Sequence, residues 1–196
     1  IDVVITKANY YRYHARVQVI PPNGPFVVTD SYIVNDASGN NNGKLDYGET
    51  VTLDMTLKNL GSENAENVTA TISSNDEYIS ILDGTTAAGT ILSDQTAVVT
   101  GAFSIKAAEN VPNGHNIRIN MEAADGDSVW NSSFSIKANA PILNYVDFTV
   151  SDISGNNNGR PDPGETVDVT VSVTNKGASD AYNVYGLLES SDPYIQ

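Results

Sequence analysis

Cysteine is absent from the 196-residue sequence. This absence excludes disulfide bridges, cysteine nucleophiles and zinc–thiolate centres within the chain. It does not fix the cellular compartment, because a bound ion such as calcium can stabilise a secreted fold in place of disulfides.

Basic residues are also scarce: 10 lysines and arginines stand against 24 aspartates and glutamates, and the net charge is −14. Nucleic acid and anionic membrane surfaces are therefore disfavoured as partners, since both recognise a basic footprint. A divalent cation is the natural counter-ion of such a chain, although acidity also keeps a protein soluble. No apolar run approaches the roughly 18 residues of a membrane span, so we expect no membrane insertion.

The sequence has only two histidines, His14 and His115, about a hundred residues apart. The motifs of zinc metalloproteases, serine hydrolases and phosphate-binding loops are missing. Because function must be argued from a site and none of these sites is visible, we expect the chain itself to be non-catalytic. His115 begins a predicted strand, which favours a surface histidine.

What the sequence does contain is a repeated polar segment. Residues 36–50 read DASGNNNGKLDYGET, and residues 152–166 read DISGNNNGRPDPGET, 116 positions later. The same period relates further pairs, among them Asn59 with Asn175. A fixed internal period without gaps indicates one structural unit used twice.

The residues after the first copy alternate strictly between apolar and polar. Val51, Leu53, Met55 and Leu57 share one face, and residues 167–173 repeat the alternation. A period of two over eight residues predicts a half-buried strand. Further short strands with turns every ~8–12 residues, and no convincing helix, predict an all-β fold of tandem immunoglobulin-like β-sandwiches, the second one incomplete.

Two positions interrupt the strand pattern in ways that predict local structure. A phase slip near Gly101 predicts a β-bulge, because one extra residue shifts the alternation of faces. The dipeptide Asp125-Gly126 between two apolar runs predicts a two-residue hairpin turn.

The organisation predicts three segments. Residues 1–25 would be the terminal hairpin of a preceding immunoglobulin-like domain plus a Pro-rich connector, since a lone hairpin is marginal in water. Residues 26–140 would form the first sandwich with its loop, and residues 141–196 the first half of a second, repeated module. We expect the chain to be a fragment of a longer protein. The tyrosines from Tyr10 to Tyr13 are expected to cover a core or a seam between domains, with a ligand platform as the alternative.

The repeated segment has the composition of a calcium-binding loop. Calcium takes six to eight oxygen ligands, which a short loop supplies when oxygen-bearing side chains alternate around a turn glycine, here Gly43. Leu45 would point inward and anchor the loop through its apolar side chain. Ser38 stands where aspartate would be usual, so we expect Asp36 to swing in and replace it. The predicted ligands are Asp36, Asn40, Asn42, the carbonyl of Lys44, Asp46 and a bidentate Glu49 in the first loop, and Asp152, Asn156, Asn158, the carbonyl of Arg160, Asp162 and Glu165 in the second.

An alternative explanation of the segment needs no ion. An Asn- and Gly-rich turn can be held by hydrogen bonds from side chains to the backbone. Retention of the same oxygen-bearing residues in both copies favours calcium, and magnesium is disfavoured because it prefers to keep water. Unneutralised carboxylates would repel one another, so we expect an ion to stabilise the loops against heat and proteases rather than to support catalysis.

A resemblance to a known family rests on three features: the run Val4-Ile5-Thr6-Lys7 followed by Asn9-Tyr10, the connector at 21–25, and the repeated SGNNNG-x-x-D-x-GET unit. These resemble the region behind the catalytic domain of gingipain-like secreted bacterial cysteine peptidases, with tandem immunoglobulin-like modules of the CARDB-like type. The resemblance implies a location outside the bacterial outer membrane, secreted or at the cell surface. It carries no catalytic residue, because the Cys and His of that family's dyad have no counterpart here.

These observations predict a non-catalytic, calcium-stabilised spacer or stalk of a secreted or cell-surface bacterial protein. Its partners would be neighbouring domains of the same chain, with a cell-surface glycan or protein as a further candidate. The alternative is an adhesin or carbohydrate-binding module, which would need aromatic side chains aligned on an exposed sheet face. Trp130 and the tyrosines near it are the candidates for such a surface.

Overall fold

The computed structural model describes residues 2–16 and 23–195. All regular secondary-structure elements among these residues are β-strands, which confirms the all-β prediction. Nowhere in the described part of the chain is there a helix long and apolar enough to cross a membrane. The strands are β1 (Asp2–Ile5), β2 (Tyr13–Arg16), β3 (Val27–Asn35), β4 (Leu45–Asp46), β5 (Thr50–Asn59), β6 (Ala65–Ser73), β7 (Ile79–Asp83), β8 (Thr85–Ile91), β9 (Thr96–Ala107), β10 (His115–Ala124), β11 (Val129–Asn139), β12 (Leu143–Ser151) and β13 (Asp168–Asn175).

Strands β3 to β11 form a sandwich of two sheets. One sheet has the order β3-β5-β9-β7, and the other has the order β4-β11-β10-β6-β8. Neighbouring strands are antiparallel except β4 and β11, which run parallel. A single core lies between the two sheets, as in immunoglobulin-like sandwiches.

Strand β5 shows why this sequence forms a sandwich. Its residues alternate between fully buried apolar side chains and partly exposed polar ones, which confirms the predicted pattern. Burial of each such side chain contributes about 1.5–3 kcal/mol. Strand β10 of the opposite sheet contributes a second alternating row to the same core. The buried side chains of the two strands are Val51, Leu53, Met55 and Leu57 in β5, and Ile117, Ile119, Met121 and Ala123 in β10.

The predicted bulge at Gly101 is confirmed. The register between β5 and β9 shifts between Leu53 and Met55. Gly101 has a φ of +61°, and its N–H donates to Oδ1 of Asp54 at 2.7 Å. The side chain of Asp54 on the neighbouring strand thus accepts the Gly101 N–H, which the interrupted strand pairing leaves without a backbone acceptor.

The predicted two-residue hairpin is wrong, because β10 and β11 are joined by the four residues 125–128. Asp125 donates its N–H to the carbonyl of Ser128 at 3.2 Å. Its carboxylate accepts the N–H groups of Asp127 and Ser128 at 3.1 and 2.8 Å. An aspartate side chain that satisfies two backbone donors stabilises the longer loop.

Strands β1 and β2 form a separate two-stranded hairpin. The sequence predicts its second strand around Val17 and Val19, which lie outside the described residues, and the observed β2 comes earlier. Tyr10, Tyr11 and Tyr13 are each at least 62% exposed. Within the described residues they therefore cover no core, and the predicted seam with a preceding domain stays a prediction.

Strands β12 and β13 repeat the start of the sandwich. They pair antiparallel, as β3 and β5 do 116 residues earlier, and both pairs contain a register shift at the same position. The side chains of β13 that correspond to the core of β5 are 41–57% exposed: Val169, Val171 and Val173. They are exposed because no second sheet faces them among the described residues.

Candidate functional site

The first copy of the repeated loop is anchored by the last strand of the sandwich. Within the loop, β4 runs parallel to the end of β11, with Leu45 opposite Ala138 and Asp46 opposite Asn139. The carbonyl of Asn139 accepts the N–H of Tyr47 at 2.9 Å, and its side chain donates to the carbonyl of Leu45 at 3.4 Å. Leu45 is fully buried, which confirms its predicted role as the apolar anchor.

Asp36 shapes the turn of the first loop. Its buried carboxylate accepts the N–H of Asn42 at 2.7 Å and the N–H of Gly43 at 3.1 Å. Gly43 has a φ of +74°, a conformation that glycine adopts without steric cost, so it is the turn glycine that the spacing predicts. Asp36 reaches into the loop as predicted, and the contacts it makes there are to backbone donors.

Asn40 and Asn42 direct their amide nitrogens at one carboxylate oxygen. Both Nδ2 atoms donate to Oδ2 of Asp46, at 2.7 and 2.8 Å. The side-chain oxygen of Asn40 accepts the N–H of Asn42 at 3.1 Å, and that of Asn42 accepts the N–H of Lys44 at 2.8 Å. These contacts are the side-chain to backbone bonds on which the ion-free explanation of the loop depends.

Glu49 closes the loop across Gly39. Its Oε2 accepts the N–H of Asp46 at 3.1 Å, and a Cβ at Gly39 would lie 1.7 Å from its Oε1. A glycine is therefore needed for this close approach. Burial is the main cause that raises the pKa of Glu49. The N–H groups of Asp46 and Asn40 oppose the rise, and the charges of Asp36 and Asp46 add to it.

Asp46 is the buried carboxylate whose hydrogen bonding is incomplete. The residue is 4% exposed, and its Oδ1 has no partner. Among residues 2–16 and 23–195, this is the only buried side-chain nitrogen or oxygen without one. Buried polar groups are nearly always bonded, and leaving one unsatisfied costs about 1–3 kcal/mol, with more for a charged group.

The second loop repeats the network. Asp152 is also buried, and it accepts the N–H groups of Asn158 and of the next glycine at 2.8 and 3.1 Å. The amides of Asn156 and Asn158 donate to Oδ2 of Asp162 at 2.5 and 2.8 Å. Glu165 accepts the N–H of Asp162 at 3.0 Å. Asp162 is only half-buried, because no counterpart of β11 lies beside it in the described residues.

The other predicted positions contribute less to either site. Lys44 and Arg160, predicted as carbonyl ligands, are exposed, and each donates its N–H to an asparagine side chain at 2.8 Å. The hydroxyls of Ser38 and Ser154 bond to threonine carbonyls at the end of each loop, at 3.5 Å. The spacing thus brings the aspartates, asparagines and glutamates together, and it leaves the serines aside as predicted.

The donor set of the loops is mixed in chemical type. The described residues contain no group of three or more acidic or histidine side chains that could hold a metal by themselves. Calcium sites also draw on amide and carbonyl oxygens. In the first loop the amide nitrogens of Asn40 and Asn42 take the place beside Asp46 that a cation would take. Both amides must turn before their oxygens can serve as ligands.

A cavity of about 460 Å³ lies beside the first loop. Its walls come from both units of the repeat, a juxtaposition that no short sequence pattern signals. The lining residues are Gly39, Asn40, Asp46, Tyr47, Gly48, Glu49 and Glu109 from the first unit, and Ser179 and Tyr182 from the second.

His115 is held in a pair that the sequence did not indicate. Its Nε2 lies 2.8 Å from Oδ2 of Asp76, and its ring meets that of Tyr78 edge-on. Burial raises the pKa of Asp76, but the N–H of Tyr78 and the His115 ring together bring it below its ordinary value. The histidine side chain is 30% exposed, so it is a partly buried, partnered residue rather than a free surface one.

The aromatic surface expected of a carbohydrate-binding module is not formed at Trp130. That side chain is 6% exposed and belongs to the core. Its position in β11, opposite Ala123 of β10, turns it inward. The prediction of Trp130 as part of an exposed binding face is therefore wrong.

No protein-family model and no curated protein matches the sequence. Among solved structures, the chain is similar to a conjugative transposon lipoprotein from Bacteroides eggerthii DSM 20697, with 14% identity and a TM-score of 0.29, covering 57% of this chain and 95% of that one. It is also similar to the CsuC–CsuE chaperone–tip adhesion subunit pre-assembly complex of the archaic chaperone-usher Csu pili of Acinetobacter baumannii, with 11% identity and a TM-score of 0.24, covering 67% and 84%. Likeness at these TM-scores shows nothing about function.

Proposed function

We propose that this chain is a pair of non-catalytic, calcium-stabilised immunoglobulin-like modules that act as a spacer in a secreted or cell-surface bacterial protein. Its partners are the neighbouring domains of the same protein, and the motif resemblance makes a gingipain-like cysteine peptidase the proposed parent. The unpartnered Oδ1 of buried Asp46 is the observation that carries the calcium part of the proposal.

Calcium explains the first loop more fully than hydrogen bonding alone does. Asp36 and Glu49 are satisfied by backbone N–H groups, whereas Asp46 has two neutral amides on one oxygen and nothing on the other. Buried charges are normally paired with an opposite charge or coordinate a metal. A divalent ion would satisfy Asp46 and remove the repulsion among the three carboxylates.

We assign the metal-binding role to the side chains that converge on Asp46. Asp36 and Asp152 each accept backbone N–H groups with both carboxylate oxygens, so we assign them the role of ordering the turn rather than of holding the ion. Calcium would supply charge neutralisation and would fix the loop between two neighbouring strands of one sheet. The assigned ligands are Asn40, Asn42, Asp46 and Glu49 in the first loop, and Asn156, Asn158, Asp162 and Glu165 in the second.

A structural role follows from what the loop connects. It joins β3 to β5, which pair with each other, so an ordered loop fixes the edge of the sandwich. Because the ion would bind the folded loop, binding would stabilise the native state by about 2.7 kcal/mol when free calcium is 100-fold above its dissociation constant.

Calorimetric titration of the EGTA-treated protein with calcium tests the proposal. We expect two bound ions per chain, a higher midpoint of thermal unfolding and slower cleavage by a protease. Asp46→Asn should remove one ion and Asp162→Asn the other, because each loses a carboxylate while keeping an oxygen for the two asparagine amides. Glu122→Gln, an exposed position on β10, is the charge-matched control. Unchanged melting and cleavage in calcium would contradict the proposal.

A further inference from the structure

The first loop lies at the junction between the two units of the repeat. The hydroxyl of Tyr47 accepts the N–H of Tyr182 at 3.4 Å, and Ser179 beside it is buried. The first loop of one unit therefore contacts the next unit directly.

The connector between the units is tied to the same loop. Strand β11 pairs with Asp46 through Asn139 and then continues into Ala140. The side-chain oxygen of Asn113 accepts the N–H of Ala140 at 3.1 Å and that of Ala178 at 3.2 Å. Ala178 also donates to the carbonyl of Ala140 at 3.2 Å. Loop, last strand and connector are thus one continuous hydrogen-bonded path.

A turn of the second unit, at residues 175–177, packs against this connector. Asn175 accepts the N–H groups of Ile142 and Gly177 at 3.0 and 2.9 Å. A Cβ at Gly177 would lie 2.2 Å from the carbonyl oxygen of Ala140, so backbone meets backbone there. Gly61 makes the same approach to the segment that precedes the first unit. The second unit is therefore seated on the end of β11 and not merely tethered to it.

We infer that a divalent cation bound in the first loop locks the second unit onto the first, so that the stiffness of the two-unit rod depends on calcium. The inference rests on the proposed calcium-binding function. Asp46, Glu49 and Glu109 line the junction cavity, and Asp180 of the second unit lies 3.5 Å from the hydroxyl of Tyr182. Like charges in a partly buried junction push the units apart, and a divalent ion reverses that effect.

The second loop supplies an internal control for this inference. It carries Pro163 where the first loop has Tyr47, and its residues are mostly exposed. A cation bound there should stabilise its own loop without changing the angle between the two units.

Spin labels can measure the junction directly, because the absence of cysteine leaves no native thiol to remove. Thr100→Cys and Ser172→Cys place one label on an exposed strand position of each unit. We expect calcium added to the EGTA-treated protein to narrow the distribution of distances between the two spin labels, as measured by pulsed electron–electron double resonance. Asp46→Asn should abolish the narrowing and Asp162→Asn should retain it, although each variant loses one bound ion.

Tyr47→Phe adds a variant that leaves every proposed ligand in place. It removes the hydroxyl that accepts from Tyr182, so calcium stoichiometry should stay at two while the narrowing is reduced. The inference is overturned if calcium binds and the distance distribution does not change, or if Asp162→Asn abolishes the narrowing as Asp46→Asn does. Either result would leave the proposed calcium binding intact. If calorimetry shows no calcium binding, both the inference and the proposed function are contradicted.

Discussion

Asn59→Ala is the substitution whose cost follows most directly from the structure. The buried side chain accepts the N–H groups of Phe26 and Gly61, both at 2.9 Å, and donates to the carbonyls of Glu63 at 2.7 Å and Ile91 at 3.0 Å. At a net contribution of roughly 1 kcal/mol for each bond, we expect the free energy of unfolding to fall by about 4 kcal/mol. That is a large part of the ~5–15 kcal/mol available to a domain.

Urea unfolding followed by the fluorescence of Trp130 measures this loss. Trp130 is the single tryptophan of the chain and lies in the core of the sandwich, so its signal reports on that unit. The slope of the free energy of unfolding against urea concentration should stay the same, since the surface exposed by unfolding is unchanged. Asn59→Asp separates the bonds that the side chain accepts from those that it donates. It keeps an oxygen to accept from Phe26 and Gly61, and it replaces the nitrogen that donates to the two carbonyls with a second oxygen.

Asn175→Ala is the matched control, since Asn175 stands 116 residues later in the same turn. It accepts from Ile142 and Gly177 and donates to Ser179 at 2.8 Å, but the residue itself is exposed. Water can replace exposed bonds, so we expect little change in the Trp130 transition. A loss below about 1.5 kcal/mol for Asn59→Ala, or an equal loss for both variants, would refute the reasoning.

Three further predictions concern the same sandwich. Gly101→Ala should cost about 1–2 kcal/mol by urea unfolding, because its φ is +61° and the space for a Cβ is otherwise open. Asp76 has a pKa below its ordinary value, so its contribution to stability is present above that value and is lost as pH falls through the lower one. Asp76→Asn should therefore reduce stability at neutral pH and flatten its decline in acid, as thermal melts across pH would show; a parallel decline would contradict this. Trp130→Ala should cost about 3–5 kcal/mol from core burial, and retained stability would contradict its placement.

The strands were predictable because their signal is local. A side chain in β5 faces the core according to the parity of its position, and Val51 to Leu57 keep that parity without interruption. The turn glycine Gly43 and the bulge glycine Gly101 were predictable for the same reason, since each breaks a short pattern. These features require only neighbours along the chain.

The predictions that failed required knowledge of neighbours distant in sequence or of competing local bonds. Asp125 uses its own carboxylate to hold a four-residue loop, a choice that the Asp-Gly dipeptide does not reveal. Trp130 looked available for binding, yet its place opposite Ala123 puts it in the core. The composition of the loop predicted which side chains gather there. The direction of the Asn40 and Asn42 amides depended on the hydrogen bonds of the folded loop.

The repeat was visible in the sequence alone as a pattern that recurs at a fixed offset of 116 residues. The alternating strands and the gathering of oxygen-bearing side chains around each turn glycine were also determined by the sequence, because they depend on residues a few positions apart. Only the tertiary structure decided that Asp46 is buried with one oxygen unsatisfied, since Asn139, the residue of strand β11 that pairs with it, lies 93 residues later. It also decided that the first loop meets the next unit, because Tyr47 and Tyr182, 135 residues apart, become neighbours only when the connector folds back on the sandwich.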